Sequence, residues 1–233
     1  MNLEGKVVAI TGAYKGLGAA LAEQFAVKGC RLVLGGRNKE KLLEFSKKLS
    51  AVPVVMDVRK WGDCENFVNE AVKHFGKIDI AINNAGVWDI ASFDEMTEQQ
   101  IKDMTETNLY GVMFCSKFEA MQMSSQGRGL IINIGSTAGI DFKSSHLAYG
   151  ASKHAVVGFT GALNEELKGK QSENLRALCF CPGGIKTDLF RPKPERVRED
   201  FMESEFAASY LIEQIENDNP KWLLILRKPG IFK

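Results

Sequence analysis

The first strand and turn of the chain restrict its fold more than any other stretch. Val7-Val8-Ala9-Ile10 is a short run dominated by β-branched and aliphatic residues, of the kind buried in a parallel sheet. It leads directly into Thr11-Gly12-Ala13-Tyr14-Lys15-Gly16-Leu17-Gly18. A helix-patterned segment follows over 19–28, with Leu21, Ala22 and Phe25 on one face. Glycines allow a tight turn and close approach of backbone to a pyrophosphate, and a helix N-terminus offers N–H groups and partial positive charge. The unit therefore reads as dinucleotide-binding. Its spacing is G-x-x-x-G-x-G, not the commoner G-x-G-x-x-G.

Strand and helix patterns alternate through the rest of the chain. Strands are predicted at 31–36, 53–56, 78–82, 130–134, 175–180 and 222–226. Helices are predicted at 38–50 with Asn38 as N-cap, and at 63–75, 97–124, 147–168 and 203–216. This order predicts an α/β protein: one doubly wound parallel sheet (a Rossmann fold) of about seven strands, helices on both faces, in a single domain over 1–233. The charged segment 188–200 contains Pro192 and Pro194, and 188–217 reads as a substrate flap and its following helix. A net charge of +1 supplies no global field for nucleic acid or an anionic membrane. No apolar run reaches membrane-spanning length, and Met1-Asn2-Leu3-Glu4-Gly5-Lys6 leads straight into a strand, so a cytoplasmic location is expected. The five cysteines show no zinc-type spacing, and no metal is expected. Cys179 and Cys181 share one face of a predicted strand and read as small buried hydrophobes.

Residues with chemistry cluster where strands end. Strand 31–36 ends in Gly36-Arg37, where an NAD site would place a carboxylate on the adenosine ribose. Arg37, with Lys15 in the first turn, welcomes a 2′-phosphate and points to NADPH; two solvated basic residues are the alternative. Asp57 follows the third strand, as an adenine contact or a loop cap. Asn83-Asn84-Ala85-Gly86 follows the fourth, where small residues and amides suit contact with a cofactor ribose. Asn108 interrupts the 97–124 helix and marks a candidate distortion. Ser136 lies at the C-terminal edge of the sheet, where open α/β sheets bind ligands. Tyr149 and Lys153, four apart on one helix, face the same way. A free phenol has a pKa of about 10, and lowering it to near 7 takes about 4 kcal/mol. A lysine in a dry pocket, aided by a cationic cofactor ring, is of that scale.

With these residues in order, the chain resembles the short-chain dehydrogenase/reductase family, in its compact single-domain branch. The motifs are Thr11-Gly12-x-x-x-Gly16-x-Gly18, Asp57-Val58, Asn83-Asn84-Ala85-Gly86, Asn108, Ser136, Tyr149-x-x-x-Lys153 and Pro182-Gly183. The resemblance implies that Tyr149 gives a proton to a carbonyl oxygen in reduction and takes it back in oxidation. Lys153 lowers the phenol pKa and holds ribose hydroxyls, Ser136 orients the carbonyl, and Asn108 holds a water linking Lys153 to solvent. Gly12, Lys15, Gly16, Leu17 and Gly18 would surround the pyrophosphate and adenosine. Asn84, Ala85 and Gly86 would line the ribose, and Pro182, Gly183, Ile185 and Thr187 the nicotinamide end. Family tetramers use a glycine-rich C-terminal segment, and this chain instead ends Leu226-Arg227-Lys228-Pro229-Gly230-Ile231-Phe232-Lys233. A homodimer through helices 97–124 and 147–168 is expected.

The expected activity is reduction of a ketone or aldehyde by NADPH, with NAD(H) as the alternative cofactor. Trp88, Ile90, Ile140, Phe142, His146 and Phe190 are expected in the substrate pocket, giving it an apolar character. His154 is expected to pack on its helix. Lys186, Arg191, Lys193, Arg196 and Arg198 form a basic group that fits an anionic carrier, but Glu195, Glu199 and Asp200 between them favour a solvated flap. Two other readings stand beside this one: an NAD-dependent alcohol or hydroxysteroid dehydrogenase, and a non-catalytic redox sensor or scaffold. The sensor would have no need of Ser136, Tyr149, Lys153 and Asn108 together.

Overall fold

Short apolar strands separated by amphipathic helices can bury both strand faces only in a layered sheet. The computed structural model describes residues 1–142, 144, 146–169, 174–190, 194–217 and 221–228. Arg191, Pro192 and Lys193 of the predicted flap, the Arg196 side chain and the C-terminal 229–233 lie outside the described residues. The strands are Val7–Thr11 (β1), Arg31–Gly36 (β2), Val52–Val55 (β3), Ile80–Asn83 (β4), Gly129–Ile134 (β5), Leu175–Pro182 (β6) and Leu223–Leu226 (β7). They form one seven-stranded sheet in the order β3-β2-β1-β4-β5-β6-β7, with every neighbouring pair parallel. The order reverses direction between β1 and β4, and a crevice opens there at the strand C-termini.

The helices are Gly16–Val27 (α1), Lys39–Lys48 (α2), Trp61–Phe75 (α3), Glu98–Thr105 (α4), Gly111–Gln126 (α5), Leu147–Lys168 (α6) and Ser204–Glu216 (α7). Strand alternation divides the core. Val8, Ile10, Ile82, Ile132 and Phe180 pack with Leu21 and Phe25 of α1 and Leu211 and Ile215 of α7. Ala9, Ala81, Ile131 and Ala177 face the other way, toward Phe67 of α3, Met123 of α5 and Leu167 of α6. The smaller strand residues lie on that second face.

Local signals explain most boundaries. Asn38 caps α2, its Oδ1 accepting from the Lys41 N–H at 2.9 Å. Thr97 and Gln100 form a reciprocal capping box at α4. Two expectations shift by more than a residue or two. Helix α1 starts at Gly16, inside the glycine-rich turn, because the helix must begin there to aim its N–H groups at the crevice. The predicted 97–124 helix is divided by a π-helical turn, Glu106–Tyr110, centred on Asn108. No helix among the described residues is long and apolar enough to cross a membrane.

Gly18 has no room for a side chain: a Cβ would lie 2.4 Å from the Gly12 carbonyl oxygen and 2.5 Å from Asn84 Nδ2. Gly62 in α3 has nothing within 4 Å. Gly18→Ala should therefore lower stability by about 1–3 kcal/mol. Gly62→Ala should raise it by up to about 1 kcal/mol through helix propensity. Urea unfolding midpoints of the two variants, moving in opposite directions, check this.

Candidate active site

Two turns at the sheet edge are joined before any ligand is considered. Thr11 Oγ1, at the end of β1, accepts from the backbone N–H groups of Asn84 and Ala85, each at 3.1 Å. The Asn84 side chain returns the link, Nδ2 donating to the carbonyls of Thr11 and Gly12 at 3.0 Å each. Gly12 and Gly16 have φ of 64° and 53°, which side-chain-bearing residues rarely adopt. A Cβ on Gly12 would come 2.9 Å from Ala85 Cα, and one on Gly16 would come 3.1 Å from the Thr187 side chain. Bare backbone thus faces the crevice, as a pyrophosphate cradle requires.

A second chain of contacts places the Tyr149 helix. In the π-turn, Asn108 Oδ1 accepts from Val87 N–H at 2.8 Å, and its Nδ2 donates to the Val87 carbonyl at 2.9 Å and to Ser152 Oγ at 3.2 Å. Ser152 Oγ in turn donates to the Tyr149 carbonyl at 2.7 Å. Asn108 therefore fixes the turn after β4 against α6 with its whole side chain committed. Gly139 lets the loop after β5 lie against α6, since a Cβ there would meet the Lys153 carbonyl oxygen at 2.6 Å.

Ser136, Tyr149 and Lys153 converge on one cavity. Ser136 Oγ accepts from Ala138 N–H at 3.1 Å at the start of a 3-10 turn. Tyr149 and Lys153 are both buried. Lys153 Nζ donates to the Ile134 carbonyl at 2.7 Å and lies 5.9 Å from the Tyr149 ring centroid. The expectation that Lys153 depresses the phenol is not met in the protein alone. Burial pushes Tyr149 up to about 12, against the lowering effect of the Ser136 hydrogen bond. Burial also pushes Lys153 down to about 8. Lys153 spends its ammonium on Ile134 and does not offset the dehydration of the phenol.

The cavity measures about 210 Å³. It is lined by Gly12, Lys15, Gly16, Leu17, Asn84, Ala85, Gly86, Ser136, Tyr149, Lys153, Pro182, Gly183, Ile185 and Thr187, among others. A second cavity of about 280 Å³ shares Gly12, Lys15, Ala85 and Gly86 and extends to Arg37, Asp57 and Val58. Through these shared residues the two adjoin as one groove along the strand C-termini. Gly18 and Asn108 lie behind it as supports. The Asp57 carboxylate is already forked by Arg59, with Nη2 to Oδ2 at 2.6 Å and Nε to both oxygens at 3.0 Å. The Arg59 hydrogen bond, with a further effect from Arg37, holds Asp57 below the usual carboxylate range despite its partial burial. Sequence reading missed Arg59, whose position two residues after Asp57 was the available signal. It also missed Tyr14, whose ring fills the space a Cβ on Gly36 would need.

The substrate wall differs in part from expectation. Trp88, His146 and Phe190 line the cavity, and Trp88 and Phe190 meet edge to face at 4.7 Å. Ile90 lies in the same apolar cluster. Ile140 packs instead with Val112 and Val156, and Phe142 is 92% exposed and stacked on His154. The 3-10 turn after Ser136 carries the chain outward, away from the groove. Phe201, Leu189 and Asp188 complete the lining, and Phe190 contacts Phe201 at 5.2 Å. His154 Nδ1 bonds the Gly150 carbonyl at 2.9 Å, as helix packing predicts. Lys186 and Arg198 pair with Glu203 and Asp200, and Arg191 and Lys193 lie outside the described residues.

Residues 6–198 match the family model described as short chain dehydrogenase. The chain is 33% identical over 204 residues to a 3-oxoacyl-(acyl-carrier-protein) reductase of Thermotoga maritima, covering 85% of this chain and 82% of that protein. It is 35% identical over 212 residues to an 11-beta-hydroxysteroid dehydrogenase-like protein of Arabidopsis thaliana, covering 88% and 67%. A short-chain dehydrogenase/reductase from Burkholderia phymatum, solved in complex with NAD, superposes with a TM-score of 0.91 at 25% identity, covering 97% of this chain and 90% of that one. On the family match and these identities, the chain belongs to the short-chain dehydrogenase/reductase family of oxidoreductases.

Proposed function

We propose that the protein is an NADP(H)-dependent carbonyl reductase acting on a mostly apolar ketone or aldehyde. The observation that carries this reading is the single groove that has Ser136, Tyr149 and Lys153 at one end and Lys15 and Arg37 at the other. The glycine cradle at Gly12 and Gly16 fits the pyrophosphate, and the side-chain-free Gly86, close to Lys153 Nζ, fits a ribose. Asn84 and Ala85 would line that ribose, with Leu17 near the pyrophosphate. Asp57, braced by Arg59, and Val58 would meet the adenine, and Pro182, Gly183, Ile185 and Thr187 would hold the nicotinamide end. When bound, the cofactor supplies the hydride.

The protein's own groups do the rest. Ser136 orients the carbonyl by its hydroxyl. Tyr149, a phenol and so protonated at neutral pH, gives its proton to the carbonyl oxygen. Lys153 would hold the ribose hydroxyls, and once the cofactor is bound its charge, together with that of the oxidised nicotinamide ring, would stabilise the phenolate left behind. Because the Asn108 side chain is occupied by Val87 and Ser152, any water it holds would sit on its backbone carbonyl in the π-turn. Trp88, Phe190 and Phe201 favour an apolar substrate body. Lys186 and Arg198, already paired with carboxylates, and Asp188 in the lining disfavour an anionic carrier. In this reading residues 1–233 act as one domain, with 188–217 over the substrate side. Half-exposed Tyr110 at the end of the π-turn, Met113 and Met121 on α5, and Leu147 on α6 support a homodimer.

Tyr149→Phe should lower kcat by about 10²–10⁴-fold, the usual contribution of a positioned acid, while NADPH binding stays within a few-fold. Retained turnover would refute the acid role. Arg37→Asp should shift the NADPH to NADH preference by about 10-fold or more, the scale of a lost charge-assisted bond plus repulsion. An unchanged ratio of kcat/KM values would mean the 2′-phosphate is read elsewhere.

A further inference from the structure

Beneath the glycine-rich turn lies a carboxyl that pairs with no cation among the described residues. Glu119 of α5 is fully buried. Its Oε2 accepts from Asn83 Nδ2 at 2.8 Å, and its Oε1 has no partner. Asn83 Oδ1 is likewise buried and unpartnered. Two donor-less oxygens thus sit on two groups that are already joined.

The surrounding hydrogen bonds fix which way each group points. The Thr160 hydroxyl donates to the Val156 carbonyl at 2.7 Å, so it must accept from Asn133 Nδ2 at 3.0 Å. Asn133 Oδ1 therefore faces Asn83 and accepts from its Nδ2 at 2.9 Å and from Ser116 Oγ at 3.2 Å. Turning the Asn83 amide over would set its oxygen against the Asn133 oxygen at 2.9 Å. With the amide so fixed, the network lacks one proton, and a carboxylic acid can carry it.

We propose that Glu119 is a neutral acid in the folded protein, donating its Oε1 proton to Asn83 Oδ1, and that this acid–amide pair is a positioning element for the site above it. Asn83 ends β4 immediately before Asn84, whose side chain holds the glycine-rich turn. Asn133 precedes Ile134, whose carbonyl takes the Lys153 ammonium. One proton therefore completes a network that runs from α5 through β4 and β5 to α6.

The electrostatics agree with the geometry. Burial pushes Glu119 up to about 7, with the Asn83 hydrogen bond opposing only in part. Strands β4 and β5 contain no titratable residue. On the buried sides of the neighbouring helices the titratable groups are Cys64 of α3, and Tyr149 and Lys153 of α6, with Cys115 on α5 itself. Burial and hydrogen bonding hold the Cys115 thiol up, so it offers no charge, and the Lys153 ammonium is held by Ile134. A carboxyl whose folded pKa is raised stabilises fully below its unfolded pKa and loses that contribution as pH rises through the folded value.

The test compares the wild type with Glu119→Gln, whose amide offers the missing donor at every pH. Between about pH 4.5 and about 7 the wild-type folding constant should fall relative to the variant by up to about tenfold per pH unit, then run parallel above. Infrared difference spectra near pH 6, where exposed carboxylates are ionised, should show a protonated-carboxyl band in the wild type that is absent from the variant. Neither readout involves nucleotide, so both stand apart from the proposed activity. For the positioning role, Glu119→Leu should weaken NADPH binding by about tenfold, the scale of a lost buried hydrogen bond, whereas Glu119→Gln binds like the wild type. Parallel stability profiles with no infrared difference would overturn the neutral acid. Unchanged NADPH affinity in Glu119→Leu would overturn the positioning role.

Discussion

The two hydrogen bonds from the Asn84 side chain to the carbonyls of Thr11 and Gly12 set the spacing on which the site depends. A glycine-rich turn is the most conformationally free segment a chain can carry, and ordering it costs entropy. Here the cost is met by neighbours. Asn84 holds the turn from beneath, Thr11 Oγ1 holds Asn84 and Ala85 in return, and Gly18 admits the amide by having no side chain. The same strand end carries Gly86 to the Lys153 ammonium and Val87 to Asn108. The glycine-rich turn and the Tyr149–Lys153 pair are thereby fixed in one frame rather than placed on independent loops.

The chemistry follows from how dry that frame is. Tyr149 and Lys153 are both removed from water, and dehydration disfavours the charged form of each. The protein alone therefore holds a protonated phenol beside an ammonium close to losing its proton, with pKa values of about 12 and about 8. Reduction of a carbonyl would need the first of these as a proton donor. The second is where a further positive charge or a hydroxyl-rich ligand has most leverage on the pair. Ser136, at the sheet edge, lines the same cavity as the phenol.

Much of this was legible in the sequence, for local reasons. Helix 147–168 and strand 31–36 agree with expectation to the residue, since periodic apolar patterns with clear turns on both sides are strong signals. Asn108 announced a distortion by being a poor helix residue, but the π-turn and its bond to Val87 depend on tertiary contacts. The misplaced residues share one cause. Ile140 and Phe142 follow Ser136 closely in the chain, yet past a 3-10 turn Ile140 packs against Val112 and Val156 and Phe142 lies exposed on His154. Phe201 is distant in sequence but is returned to the groove by the pairing of Ile185 with Met202, which sets its ring where a Cβ on Gly184 would lie. The Asp57–Arg59 fork and the Glu119 network are side-chain arrangements with no periodic trace.

The most direct measurement is a titration of the purified protein with NADPH and NADH, followed by absorbance loss with a panel of apolar ketones, aldehydes and 3-oxoacyl thioesters. Tighter binding of NADPH, with its consumption fastest on an apolar ketone or aldehyde, is the expected result. Tight binding with no consumption on any carbonyl would contradict the reductase reading and return weight to a nucleotide sensor.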